Sequence, residues 1–298
     1  MKTSIKKCIA IAAACAIGIT MFPAGAQAAT HVKKVGRVDS GSMAFKEDVT
    51  HDGKKDKITI YPSVSDEIIN KFLVQVNGKT ALTVKNLEES FSIYVRYIKT
   101  SKSREFIQLY TTGASDYVEY NCIYRYDNST GKFKKVVNLQ NVFNGILKVT
   151  DVTTAKKDKI TVAAYAQPQT TAGLNLTLTY KYKKGKMKLV SKTSTSVESA
   201  VGDFSVEDGY ASYFKQSKYV CSKDLTFKTK AGGSTVAFKA TKDSVVKIKK
   251  VKYKNKKLYG QFSMNGKKGW ILLYTEKMPY YYEEGEGYFY GVLYRMAG

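Results

Sequence analysis

The chain is poor in histidine, proline and cysteine, and these shortages narrow the chemistry open to it. Among 298 residues there are 2 His, 4 Pro and 4 Cys. The two histidines, His31 and His51, lack the spacing of a zinc site. No Gly-x-Ser-x-Gly elbow, phosphate-binding loop or dinucleotide-binding loop is present. We therefore expect no enzyme activity, although two carboxylates for glycoside cleavage can meet in a fold without any sequence signature.

The cysteines do not indicate a disulfide framework. Only Cys122 and Cys221 lie beyond the N-terminal region, and neither has a plausible His partner for thiol catalysis. An exported protein can form one bridge between them. Because the two fall in different predicted domains, we expect two isolated, half-buried thiols instead.

The N-terminus has the three parts of a bacterial signal peptide. Lysines 2, 6 and 7 precede an apolar run from Cys8 to Phe22, and Ala26-Gln27-Ala28 supplies the small residues of a cleavage site. The run is too short for a comfortable membrane span, and no later stretch is long enough. The pattern predicts cleavage of residues 1–28, no transmembrane helix afterwards, and a secreted, extracellular or cell-wall location. The alternative is lipidation at Cys15, but the residues before it fit a lipobox poorly.

The charge is strongly positive. The formal net charge is +24, and loss of a leader with three lysines and no acid leaves about +21. Such a field attracts polyanions. For an exported protein we expect the partner to be an anionic cell-wall polymer, a glycan or a wall peptide, and we expect no nucleic acid. The alternative is that lysines merely cover exposed strand faces and edges, since they are spread along the whole chain.

Short alternating runs with turn signals between them predict an all-β fold. Phe72, Val74 and Val76 alternate and precede Asn77-Gly78, a strong hairpin signal. No segment keeps a helical apolar period. At most, Ser65 to Phe72 and Leu139 to Leu147 are compatible with a short helix.

An internal repeat organises the first half of the chain. Asp48-Val49-Thr50 recurs as Asp151-Val152-Thr153, and a Tyr-x-Tyr hairpin at 124–134 recurs at 180–188. Two matches in the same order predict a repeat-built domain over 43–192, propeller-like or sandwich-like. A flexible lead-in is expected at 29–42, a connector at 193–218, and a second β unit at 219–298.

The loop at 48–56 has oxygen-bearing side chains at alternate positions, which is typical of calcium loops. Asp48, Thr50, Asp52 and Asp56 supply side chains, and Lys54 supplies a carbonyl. The loop resembles the Asp-x-Thr-x-Asp-Gly-x-x-Asp loops of FG-GAP-like repeats in secreted bacterial proteins, and this resemblance implies a structural calcium ion. The alternative is a turn held by its own side-chain hydrogen bonds.

The C-terminal unit contains Asn265-Gly266-Lys267-Lys268-Gly269-Trp270-Ile271, preceded by alternating strands with an expected bulge at Lys249-Lys250. This succession resembles a bacterial Src-homology-3-like domain over roughly 223–275. The resemblance implies a small barrel and binding of wall peptides or glycans. Trp270 is then either core or a ligand contact, and we expect mainly core.

A Tyr-rich segment follows this unit. Its aromatic rings and nearby acids suit a sugar- or peptide-binding surface, and the alternative is a hairpin paired with the barrel. The candidate ligand-binding residues are Trp270, Tyr280, Tyr281, Tyr282, Tyr288 and Tyr290.

Together these observations predict an exported, non-enzymatic binding protein of the bacterial cell envelope, retained by its basic surface and its C-terminal barrel. The alternatives are a secreted glycan- or peptide-cleaving enzyme with a C-terminal targeting module, and a secreted inhibitor or assembly subunit.

Overall fold

The computed structural model describes residues 31–114, 117–168, 170–200, 207–278 and 287–292. Its regular structure is almost entirely antiparallel β-sheet, which confirms the all-β fold. The predicted signal peptide at 1–28 and the candidate residues Tyr280, Tyr281 and Tyr282 lie outside the described residues. No helix of the described part of the chain is long and apolar enough to cross a membrane.

The first strand, β1 (His31–Val38), lies in the segment predicted as a flexible lead-in. It pairs antiparallel with residues 93–99, with one irregularity between Lys34 and Gly36. The segment is mostly exposed and therefore looks polar in sequence, but its backbone completes the edge of a sheet. The prediction for 29–42 is corrected accordingly.

Sheet I is a four-stranded meander of β2 (Met43–Glu47), β3 (Asp56–Ser65), β4 (Ile68–Val76) and β5 (Lys79–Lys85). Asn77 and Gly78 form the tight β4–β5 turn with φ values of 50° and 81°, as predicted. The segment from Ser65 to Phe72 holds a turn and the start of β4, and not the short helix allowed by the sequence.

Sheet II contains β1 and a second meander, β6 (Ser92–Ser101), β7 (Arg104–Thr112), β8 (Asn121–Asp127) and β9 (Lys132–Asn138). Sheet III is a third meander, β10 (Leu147–Lys156), β11 (Lys159–Ala166), β12 (Leu174–Lys183) and β13 (Lys186–Leu189). Residues 139–146, the other segment compatible with a helix, form turns.

The predicted connector contributes to two sheets. It contains β14 (Thr193–Ser194), β15 (Val197–Ser199), α1 (Ala211–Lys215) and the start of β16 (Lys218–Val220). Strand β15 pairs with β12 of sheet III, whereas β14 and β16 pair with β19 of the last sheet, described next. The one short helix, α1, was not predicted, because five residues carry no recognisable period.

Sheet IV adds β17 (Leu225–Lys228), β18 (Val236–Ala240), β19 (Val245–Lys254), β20 (Lys257–Met264) and β21 (Lys267–Tyr274), in the order β14-β19-β20-β21-β17-β18. The expected bulge appears as a register shift between Ile248 and Lys250. The sheet stays open in the described residues, since its end strands β14 and β18 do not pair. The closed barrel of the prediction is therefore absent there; β14 has only two residues, too few to form a ladder along β18.

Sheet II is buried on both faces, because sheet I packs against one face and sheets III and IV share a core with the other. Val95 and Leu109 belong to the core shared with sheet I, whereas Ile98 and Phe106 belong to the core shared with sheets III and IV. Strand β9 contacts β5 on one side and β13 on the other. Successive antiparallel meanders thus pack against one another through shared hydrophobic cores, and the propeller-like or sandwich-like arrangement stays a prediction.

Candidate functional site

The turns of the stacked meanders alternate between two ends of the molecule, and the two ends differ in charge. One end, called here the basic end, carries the β2–β3, β4–β5, β6–β7, β8–β9, β10–β11 and β12–β13 turns. Each of these turns contains or adjoins a lysine, and they contribute Lys54, Lys55, Lys79, Lys102, Lys132, Lys157, Lys183 and Lys184.

The opposite end, called here the acidic end, carries five turns whose described residues are 66–67, then 86–91, then 113–114 with 117–120, then 139–146, and finally 167–168 with 170–173. None of these five segments contains a lysine or an arginine. Asp66 and Glu67 are exposed in the first turn, and Glu88 and Glu89 are exposed in the second. Within sheets I to III the lysines of the turns therefore lie at one end, while other lysines lie along the strands and in sheet IV.

The Asp loop between β2 and β3 lies at the basic end and is held by its own hydrogen bonds. Oδ2 of buried Asp56 accepts from the backbone N–H groups of Val49 and Thr50, each at 2.9 Å. Its Oδ1 accepts from Nδ2 of Asn77 at 2.7 Å, which joins the loop to the β4–β5 turn. The Thr50 hydroxyl donates to the same carboxylate.

These contacts do not fit a calcium ligand set. Donor hydrogens face both oxygens of Asp56, whereas calcium needs free lone pairs. Asp48 accepts from the N–H of Gly53, and Asp52 accepts from the N–H of Lys54. In the described part of the chain no group of three or more His, Cys, Asp or Glu side chains is placed to hold a metal. The arrangement favours the self-bonded turn, and calcium binding stays a prediction for experiment.

The second copy of the repeat uses its acids to join neighbouring sheets. Asp151, the counterpart of Asp48, pairs with Nη2 of Arg96 at 2.9 Å. Asp158, in the β10–β11 turn, pairs with Arg104 at the start of β7. Both ion pairs connect sheet III to sheet II, so these carboxylates have a structural role.

A buried carboxylate makes the matching connection between sheets I and II. Glu105 is 3% exposed, and its Oε1 lies 2.7 Å from Nζ of Lys99. Its Oε2 lies 2.9 Å from Nδ1 of His51 in the Asp loop. The charge of Lys99 offsets part of the cost of desolvating this carboxylate, and the proximity of His51 places the Asp loop against β7.

A cleft of about 370 Å³ opens at the basic end, where the two Tyr-x-Tyr hairpins and the Asp loop converge. Its volume is within the range of small-ligand sites. The lining residues are His51, Arg125, Tyr126, Asp127, Asn128, Lys134, Val136, Tyr182 and Gly185.

The carboxylate that lines this cleft, Asp127, already has partners within the protein. Asp127 forms an ion pair with Lys134 and accepts from Ser129, and these contacts hold the pKa of its carboxyl well below the ordinary value. It is the one carboxylate among the lining residues. The cleft therefore lacks the pair of facing carboxylates that glycoside cleavage requires.

The structure places Trp270 half-buried on β21, opposite Lys228 of β17 and Gln261 of β20. It is not among the core residues, contrary to the expectation of a core tryptophan. The preceding Gly269 is buried and closely packed. A Cβ at this position would lie only 2.6 Å from Cβ of Phe227, so no larger residue fits without a shift. The glycine of the motif thus serves packing.

The described part of the Tyr-rich segment, 287–292, pairs with the chain near β16. The backbone N–H of Tyr290 donates to the carbonyl of Val220, and the carbonyl of Tyr288 accepts from Ser222. The Tyr290 ring stacks on Tyr210 with ring centroids 5.8 Å apart. The described end of the segment therefore pairs with the chain next to β16, and the expected hairpin turn with its acids lies outside the described residues.

Both cysteines are free and buried, so they are not bridged. Burial raises the pKa of the Cys221 thiol to about 11, with Asp224 adding to the effect. Burial likewise raises the pKa of Cys122, whose thiol lies beside the hydroxyls of Tyr120 and Tyr124. The raised pKa of each thiol disfavours the thiolate form that a nucleophilic cysteine needs.

The predicted site residues fall in two separate places. Asp48, Thr50, Asp52, Lys54 and Asp56 lie in one loop of sheet I, at the basic end. Trp270, Tyr288 and Tyr290 belong to the C-terminal unit. Sequence reasoning missed Arg125 and Tyr182 as site residues, although the repeated Tyr-x-Tyr hairpins contain both.

Comparison of the chain with known protein families, curated proteins and solved structures finds no match.

Proposed function

We propose that this is an exported, non-enzymatic binding protein of the bacterial cell envelope that binds an anionic wall polymer through its basic end. The observation that carries the proposal is the sorting of charge in sheets I to III. Four of the six turns at the basic end contain a lysine and the other two adjoin one, whereas the five turns named at the acidic end contain none and only the turn at 86–91 adjoins one, Lys85. A polymer with regularly spaced negative groups matches a surface made of repeated, stacked hairpins.

The pairing of acids at the basic end supports the same conclusion. Asp127, Asp158 and Glu105 each have a basic partner, while Asp48, Asp52 and Asp56 are engaged within their own loop. The lysines of the β12–β13 turn have no carboxylate partner among the described residues. Their charge is thus available to a ligand, and salt will weaken the attraction.

The C-terminal unit is proposed as an auxiliary contact with the wall. It shares one hydrophobic core with sheet III, since Leu176 and Phe262 belong to the same cluster. Removing residues 1–218 would expose that core, so the function is best tested on the full mature chain.

The test is co-sedimentation of the mature protein with purified walls at low and high salt, before and after chemical removal of the anionic polymers. We expect pelleting at low salt, release at high salt, and loss of pelleting from stripped walls. Equal pelleting with intact and stripped walls would show that the polymer is not the ligand. Absence from the pellet under every condition would refute wall retention.

A further inference from the structure

Arg125 at the basic end is a cation without an anion. Its guanidinium has five N–H donors, and the one protein acceptor it reaches is the hydroxyl of Tyr182, 3.3 Å from Nη1. Its Nε is buried and has no hydrogen-bond partner in the described structure. A half-buried guanidinium in this state is costly unless something else supplies an acceptor.

The other described arginines differ from Arg125 in this respect. Arg37 pairs with Asp39, Arg96 with Asp151 and Arg104 with Asp158. Each has a carboxylate within ion-pair distance, and Arg125 alone among the described arginines has none. The absence of a carboxylate is therefore specific to Arg125 among the described arginines, whereas a buried Nε without a hydrogen-bond partner is shared with Arg96.

Tyr182 holds the guanidinium of Arg125 in place. The guanidinium carbons of Arg125 and Arg104 both lie 5.6 Å from the centroid of its ring, and Phe106 packs edge-on against it at 5.2 Å. Because Asp158 neutralises Arg104, the uncompensated charge at this ring is that of Arg125. A fixed, planar fork of donors is the usual means of recognising an oxyanion.

The space beside Arg125 is large enough for such a group. The cleft of about 370 Å³ is lined by Arg125, Tyr126 and Tyr182, with Lys134 and His51 also in its wall. Lys134 is 65% exposed and is a second source of positive charge, although Asp127 shares it. Tyr126 and Tyr182 offer ring surface for the uncharged part of a ligand.

We propose that Arg125 binds one oxyanion, a carboxylate or a phosphate, in this cleft. The inference rests on the proposed function, because an anionic wall polymer or peptide is what supplies the group there. Arg125 makes the charged contact with the oxyanion, and Tyr182 positions the guanidinium. The surrounding lysines attract the other negative groups of the polymer to the protein surface.

The test follows the Arg side-chain Nε–H signals by NMR while the full mature protein is titrated separately with inorganic phosphate and with acetate. The chain has five arginines, so these signals are few. We expect saturable binding that shifts the Arg125 signal, with the stronger of the two anions showing whether phosphate or carboxylate is preferred. Arg125→Gln should weaken binding by about tenfold or more.

The matched control is Arg37→Gln, which removes the same charge from an arginine already paired with Asp39, and it should leave binding within about twofold. Arg125→Lys keeps the charge but loses the fork, and it should give an intermediate loss. Binding that is equal in wild type and Arg125→Gln would overturn the proposal. So would an Arg125→Gln protein that loses stability while its phosphate affinity is unchanged, since that result assigns Arg125 a structural role.

The failure of this site is distinguishable from failure of the proposed function. If the protein binds phosphate at Arg125 but does not sediment with walls, the anion site is supported and the proposed wall-binding function is refuted. A protein whose wall binding and anion binding are both insensitive to Arg125→Gln keeps the function and loses the site.

Discussion

Asp56 illustrates how one buried side chain organises a whole loop. It is 3% exposed and accepts from two backbone N–H groups, one hydroxyl and one side-chain amide. Those donors come from both the Asp loop and the β4–β5 turn. The Asp56 carboxylate therefore holds the loop together by accepting hydrogen bonds. The sequence motif would assign this stabilising role to a bound calcium ion.

Asp56→Asn should destabilise the protein by about 2 to 3 kcal/mol, because an amide N–H₂ would then face donors. The matched control is Asp52→Asn, an exposed residue with one loop hydrogen bond to Lys54, which should cost less than about 0.5 kcal/mol. Urea unfolding measures both. The loss should be the same with excess calcium and with a chelator. A calcium-dependent rise in the wild-type melting temperature that Asp52→Asn abolishes would instead establish the calcium site.

We expect Cys221 to lower the stability of the folded protein at alkaline pH. Its pKa is raised in the folded state to about 11 from an ordinary value near 9, so the folded chain retains a proton that the unfolded chain loses. That stability is fully present below pH 9 and is lost as the pH rises towards 11, by up to about 1.4 kcal/mol per pH unit. Urea unfolding at pH 8, 9 and 10 should show the decline.

Cys221→Ala tests this assignment. The substitution lowers stability at every pH by leaving a small cavity, but the fall between pH 9 and pH 10 should be shallower than in wild type. Identical slopes would show that other groups, such as the buried tyrosines, cause the alkaline decline.

At the scale of strands and turns, local signals were predictable and edge elements were not. The Asn77-Gly78 and Asn265-Gly266 hairpins and the bulge after Ile248 follow from turn chemistry and from the slip in alternation. Strands β1 and β14 were missed, because an exposed edge strand buries few side chains and so has no apolar alternation. Their positions depend on backbone pairing with strands distant in sequence.

The candidate site could be predicted only in part. The repeated Tyr-x-Tyr hairpins identified two of the three segments that form the cleft, and the Asp loop is the third. In the first copy of the repeat, the Asp loop lies in sheet I and the Tyr-x-Tyr hairpin lies in sheet II. In the second copy, both segments lie in sheet III. Only the stacking of the sheets brings Arg125 against Tyr182, which sequence spacing does not encode.

The Gly269 position tests the packing of sheet IV. Gly269→Ala should destabilise the protein by about 1 to 3 kcal/mol, since the new methyl group would overlap Phe227 and press on Ala237 and Phe238. Gly209→Ala is the matched control, because a Cβ there meets nothing within 4 Å, and it should change stability by less than about 0.5 kcal/mol. Thermal or urea unfolding of both variants measures the two changes in stability. Equal effects would contradict the close contact between β21 and β17–β18.

At the scale of the whole molecule, the alternation of turns explains why the turn lysines of sheets I to III lie at one end. In a meander, every second turn lies at the same end, so lysines placed in alternate turns gather on one surface. The acidic residues of the other turns gather opposite, where Glu119 accepts the backbone N–H groups of Glu88 and Glu89.

The central claim is that the basic end, and not net charge alone, binds the polyanion. The most direct measurement is the affinity of the mature protein for purified anionic wall polymer at low salt, compared between two double charge reversals. Lys183→Glu/Lys184→Glu changes the β12–β13 turn beside the cleft. Lys256→Glu/Lys257→Glu makes the same change in the exposed β19–β20 turn, and Lys184 and Lys256 even share a positive φ, at 51° and 58°. We predict a loss of roughly tenfold or more for the first pair, a smaller salt dependence of its binding, and a change below about threefold for the second. Equal losses in the two variants, or no loss in the first, would contradict the account.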